Sequence, residues 1–116
     1  MTDDICEVII TAPDAQWLAE FTTDLVNARL CACGHNIAPI RSIYQWQGSV
    51  HNEGEARVAL HTRHALVPKI VDFTKSRHPY EVPCVIAMPI IAGNQDYIDW
   101  VLRETDPVDS DTRTLD

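Results

Sequence analysis

The run Cys84-Val85-Ile86-Ala87-Met88-Pro89-Ile90-Ile91 is apolar at odd and even positions alike, and it constrains the fold more than any other stretch. Successive side chains of a strand point to opposite faces of its sheet, so a strand of this composition has to be covered on both sides. Ile5 to Ala12, carrying Ile5, Val8, Ile9 and Ile10, has nearly the same character. The chain has 116 residues, the size of one domain, and 46% of them are hydrophobic, enough for a core without disulfide staples.

Between these two runs the periodicity changes twice. Pro13 and Asp14 end the first strand and supply helix-start chemistry, and Leu18, Phe21, Leu25 and Ala28 then recur at helical spacing, predicting a helix to about Leu30. From Asn36 to Val50 the alternation has period two, with Ile40, Ser42, Tyr44 and Trp46 on one face. His51-Asn52-Glu53-Gly54 reads as a turn, and Ala56, Val58, Leu60 and Thr62 as the inner face of a returning strand. A second helix is predicted over Ala65 to Arg77, with Pro68 in its first turn and Pro79 beyond its end. Pro83 to Ile91 is the last strand, and Asn94 caps a final helix that ends near Glu104. The segment from Asp106 to Asp116 is polar and acidic without apolar periodicity, so residues 1–105 are expected to form one domain and 106–116 a disordered tail.

The order β-α-β-β-α-β predicts an α+β, ferredoxin-like sandwich, two helices on one face of a four-stranded antiparallel sheet, followed by an extra C-terminal helix. The second sheet face then lacks a covering layer, although the first and last strands are apolar on it. Another copy of the chain packed sheet against sheet is the economical cover, so a homo-oligomer is expected.

A net charge of -8 excludes a phosphate-backbone binder, which needs clustered Lys and Arg, and makes an anionic membrane an equally poor partner. The N-terminus carries no signal-like apolar segment, and no apolar run approaches a bilayer span, which points to a cytoplasmic protein. Cys6, Cys31, Cys33 and Cys84 form no Cys-x-x-Cys pair and are expected to be reduced thiols. With no Gly-rich phosphate loop, His-Glu-x-x-His or recognisable nucleophile-base arrangement, catalysis is not expected.

Six short pieces resemble one known family. These are Thr11-Ala12-Pro13, Ala32-Cys33, Ser42 to Gly48, His78-Pro79-Tyr80-Glu81-Val82-Pro83, Met88-Pro89-Ile90, and Gly93 through Tyr97 to Trp100. Together they are similar to the CutA, or divalent-cation tolerance, proteins from about residue 7 to residue 104. The resemblance implies a homotrimer with sheets facing inward, a long hairpin reaching a neighbouring subunit, and a role in tolerance of copper or another divalent cation through metal binding. It also implies copper ligands just before Thr11 and at two histidines before Pro79. Here those positions hold Ile10, Arg77 and His78, so only His78 carries over. His61 stands where lysine is usual, and Cys84 where an acidic residue is usual.

The candidate metal ligands are therefore His78, and Cys33 with His35, a thiolate and an imidazole two residues apart in an extended segment. His78 has a plainer structural role as the closure of the second helix, and Cys33 and Cys84 as space-filling thiols. The resemblance gathers Tyr44, Trp46, His78, Tyr80 and Glu81 in a cleft between subunits. An alternative reading makes that cleft the site of a small effector, as in the PII-type regulatory trimers, helped by basic residues such as Arg57, Arg63 or Lys69.

Overall fold

The computed structural model describes residues 4–107. It runs through β1 (Ile5–Ala12), α1 (Ala15–Asn27), β2 (Cys33–Trp46), β3 (Ser49–Arg63), a 3₁₀ turn (His64–Leu66), α2 (Val67–Lys75), β4 (Val85–Pro89) and α3 (Gln95–Glu104). The strands form one antiparallel sheet in the order β2-β3-β1-β4, the α+β ferredoxin-like arrangement expected from the element order.

One face of β1, formed by Cys6, Val8, Ile10 and Ala12, meets Val58 and Leu60 of β3 and is closed by Leu18, Phe21 and Leu25 of α1 and Ile70 of α2. Asp14 caps α1 by accepting a hydrogen bond from Trp17 N–H at 2.8 Å, and Asn94 caps α3 by accepting from Asp96 N–H at 3.0 Å. α1 ends three residues before Leu30, where Arg29 takes a positive φ of 60°.

The hairpin differs from expectation. Its turn is Gln47-Gly48, with Trp46 facing Ser49, and both loop residues have positive φ, 52° and 83°. Such a two-residue loop follows the right-handed twist of the flanking strands, and glycine tolerates the left-handed conformation that it requires. His51 to Gly54, expected to be the turn, pair instead with Tyr44 to Arg41; their polarity is that of an exposed ribbon. β2 also begins earlier than expected, at Cys33, and its register shifts between Ile37 and Ile40. Beyond that shift the hairpin continues as a two-stranded ribbon, because β1 pairs with β3 only from Ala56 onward.

The face turned away from α1 and α2 is partly covered by α3, so the expectation that the chain keeps nothing for it is corrected. Val101 packs with Ile5 and Ala32, and Arg63 donates from Nε to Thr105 Oγ1 at 3.0 Å and from Nη2 to Leu102 O at 2.5 Å. The rest of that face stays open, with Ile86 55% and Met88 41% exposed. Of the predicted tail, 106–107 are described, with the Asp106 carboxylate accepting from Arg29 Nε at 3.1 Å, whereas 108–116 lie outside the described residues.

Candidate functional site

The structure offers two separate candidate sites. In the first, Cys33 and His35 of β2 point to the same side, and the ladder places His61 of β3 directly opposite Cys33. The ligating atoms of Cys33, His35 and His61 lie within 4.8 Å of one another. Cys33 Sγ is 3.9 Å from His61 Nδ1, and the two imidazoles meet edge to face with centroids 5.4 Å apart.

Neighbouring strands and a helix fix the state of His61. Glu7, its ladder partner on β1, places Oε1 2.8 Å from Nε2. A carboxylate oxygen accepts, so Nε2 holds the ring proton and Nδ1, the nitrogen facing Cys33, keeps its lone pair. Such a carboxylate behind an imidazole is how many metal-binding histidines are oriented. Tyr97, on the first turns of α3, donates its hydroxyl to Nδ1 at 2.5 Å and lies 3.2 Å from Cys33 Sγ. Burial and the adjoining Cys33 raise the phenol's pKa, so Tyr97 remains a donor at neutral pH. Four elements thus converge on a soft-donor cluster of which the sequence named Cys33 and His35 but not His61.

The second site is a cavity of about 450 Å³ between the ribbon and the loop after α2, lined among others by Tyr44, Trp46, Glu55, Tyr80, Glu81 and Cys84. Tyr80 donates to Glu55 Oε2 at 2.6 Å, and Tyr44 to Glu53 at 2.7 Å. Of the five residues expected in a cleft between subunits, Tyr44, Trp46, Tyr80 and Glu81 line this cavity within one chain, and His78 sits behind the lining. Its Nε2 donates to Thr11 O at 2.7 Å and its Nδ1 accepts from Tyr80 N–H at 3.0 Å. Both nitrogens are engaged by backbone groups, which cannot swing away from the ring as the Tyr97 side chain on His61 can, so His78 offers no lone pair to a cation. It closes α2 against β1 and positions Tyr80.

A family model described as CutA1 divalent ion tolerance protein matches residues 6–104. This chain belongs to the CutA1 family. It is 38% identical to human Protein CutA over 111 residues, 96% of this chain and 62% of that one, so it spans about three-fifths of the length of its mammalian relatives. The Divalent-cation tolerance protein CutA of Thermus thermophilus is 37% identical over 98 residues, 84% of this chain and 95% of that one. Among solved structures, the divalent cation tolerance protein of Thermus thermophilus superposes with a TM-score of 0.85 at 35% identity, covering 88% of this chain and 99% of that one. CutA1 from Oryza sativa gives 0.87 at 30% identity, covering 90% and 96%.

Against the CutA1 pattern, the position before Thr11 is Ile10, fully buried in the core. Arg77 lies over the Phe73 ring at 3.7 Å and near Asp24 at 3.8 Å. Neither offers a donor, and the soft donors are gathered instead around Cys33. Cys84 lines the cavity and is exposed, not packed as sequence suggested, while Cys6 and Cys31 are buried thiols whose pKa is pushed up to about 11 and about 12. Sequence reasoning missed His61, Glu7, Tyr97 and Glu55. For His61 the signal was present, since it replaces the lysine usual at that point of the third strand.

Proposed function

We propose that this CutA1 family member serves divalent-cation tolerance by binding the ion itself, through Cys33, His35 and His61, in a homotrimeric assembly. The reading is carried by one observation, the convergence of three ligating atoms within 4.8 Å. A thiolate with two imidazoles suits copper or zinc and suits magnesium or calcium poorly, because the latter favour oxygen donors. Glu7 would hold the His61 ring in its ligating tautomer. The names of the bacterial relatives, divalent-cation tolerance proteins, support the biological side of the reading.

The test is calorimetric titration of the metal-free chain with zinc(II), paired with cobalt(II) absorption to detect thiolate ligation. Cys33→Ala and His61→Ala are each expected to weaken binding by at least about tenfold, and Cys33→Ala alone to abolish the thiolate-to-cobalt charge-transfer band. His78→Ala, if folded, should leave both unchanged. Binding that survives Cys33→Ala and His61→Ala undiminished would rule the cluster out.

A further inference from the structure

The cavity beside the ribbon has a chemistry that cation tolerance does not use. Tyr44, Trp46 and Tyr80 give it three aromatic side chains, Glu55 and Glu81 give it two carboxylates, and no Lys, Arg or His lines it among the described residues. Arg57, Arg63 and Lys69, expected to draw an anionic effector, are absent from its lining, and Arg63 is committed to Thr105 and Leu102.

Glu55 is the decisive group. It is only 7% exposed, and no basic side chain pairs with it among the described residues. Its Oε2 accepts from Tyr80, while Oε1 has no hydrogen-bond partner among the described residues. A buried carboxylate is costly unless an opposite charge or further donors reach it. Tyr80 gives it a hydrogen bond but no positive charge, because a phenol is neutral or anionic; burial and the adjoining Glu55 raise its pKa, so the hydroxyl stays a neutral donor. Aromatic faces beside such a carboxylate attract a cation and repel an anion.

We infer that this cavity is a binding site for an organic cation, a primary alkylammonium or alkylguanidinium group, held by Glu55 and the Tyr44, Trp46 and Tyr80 rings. The group can belong to a free amine or to a Lys or Arg side chain of a second copy of this chain. A negatively charged effector such as a nucleotide is disfavoured by both carboxylates.

The full chain is titrated with butylammonium and butylguanidinium, with butanol and butyrate as neutral and anionic counterparts. The readout is the Trp46 indole N–H signal in a ¹⁵N-correlated NMR spectrum, assigned by its loss in Trp46→Phe. Saturable shifts are expected with the two cations only, and Glu55→Gln, which keeps an acceptor for Tyr80, should weaken them at least about tenfold. Glu81→Gln, at an exposed position, provides a second variant with a smaller loss in the same direction. Repeating the titration across protein concentrations separates the sources: cation binding that fades as copies associate assigns the site to a neighbour's basic side chain, and binding independent of association assigns it to a free amine. Equal shifts with butanol or butyrate, no shift with either cation, or unchanged cation affinity in both glutamine variants would overturn the inference.

Discussion

Gly34 shows how closely one residue controls the metal cluster. It lies between Cys33 and His35 with its backbone against the core, and a Cβ there would fall 2.5 Å from Thr22 Cγ2 and 3.1 Å from side-chain atoms of Leu60 and Val58. Gly34→Ala is therefore expected to cost about 2 kcal/mol in denaturant-determined stability, the usual range for overpacking, and to weaken zinc binding by displacing the segment that carries both donors. Cys6 and Cys31 lead to a different expectation. Burial lifts their pKa from 9.0 to about 11 and about 12, so the folded chain holds these protons while the unfolded chain releases them. Their contribution is complete below pH 9 and is lost as pH rises through 11 and 12, so the urea midpoint should fall between pH 9 and 10.5. At pH 7.5 an alkylating reagent should label Cys84 in the native chain and leave Cys6 and Cys31 unmodified until it unfolds. Rapid native labelling of Cys6 or Cys31 would contradict the burial argument.

At the scale of elements, the hairpin turn decides what could be read in advance. The strand, helix and cap assignments followed from periodicity and from Asp14, Asn94 and Pro79, since these signals are local. The register between β2 and β3 is not local. Placing the turn at His51 to Gly54 sets His61 opposite Tyr44, whereas the Gln47-Gly48 turn and the shift near Ile37 set it opposite Cys33. The polar composition of 51–54 outweighed the single glycine at 48, and so His61 was not joined to Cys33 and His35 from the sequence. Glu7 and Tyr97 were out of reach for the same reason, because they join through tertiary packing of β1 and α3. The position of α3 also makes a prediction. Tyr97 occupies the lone pair of His61 Nδ1 that a metal ion would need, so a cation competes with this hydrogen bond. Removing it in Tyr97→Phe should tighten zinc binding by about three- to tenfold, the equivalent of one ordinary hydrogen bond of about 1 kcal/mol. Weaker binding in Tyr97→Phe would instead make the phenol a ligand.

For the whole molecule, the open sheet face and the ribbon pose one problem with a common solution. The described chain extends 45 × 32 × 24 Å, and the outer hairpin, from Ile40 to Glu55, has no third strand beside it among the described residues. A two-stranded ribbon alone is marginal in water, yet this one carries Ile43 and Val50 at 64% and 65% exposure, and Ile86 and Met88 lie uncovered on the sheet. In the proposed assembly, contact with further copies would cover such surfaces, and burial of apolar area is favourable by about 25 cal/mol per Å². The assembly reading therefore predicts that the ribbon's order depends on association. Ile86→Lys combined with Met88→Lys introduces two charges into the shared surface without touching the helix-covered core, so analytical ultracentrifugation should change from a trimer mass to a monomer mass while the far-ultraviolet circular dichroism of α1 and α2 persists. In that monomer, hydrogen exchange at Ile43 to Val50 should accelerate to near the rate of an unprotected chain, while amides of β1 stay protected. A double variant that stays trimeric would place the interface elsewhere. A monomer whose ribbon keeps its protection would show that the hairpin is stable by itself and that assembly serves some purpose other than ordering it.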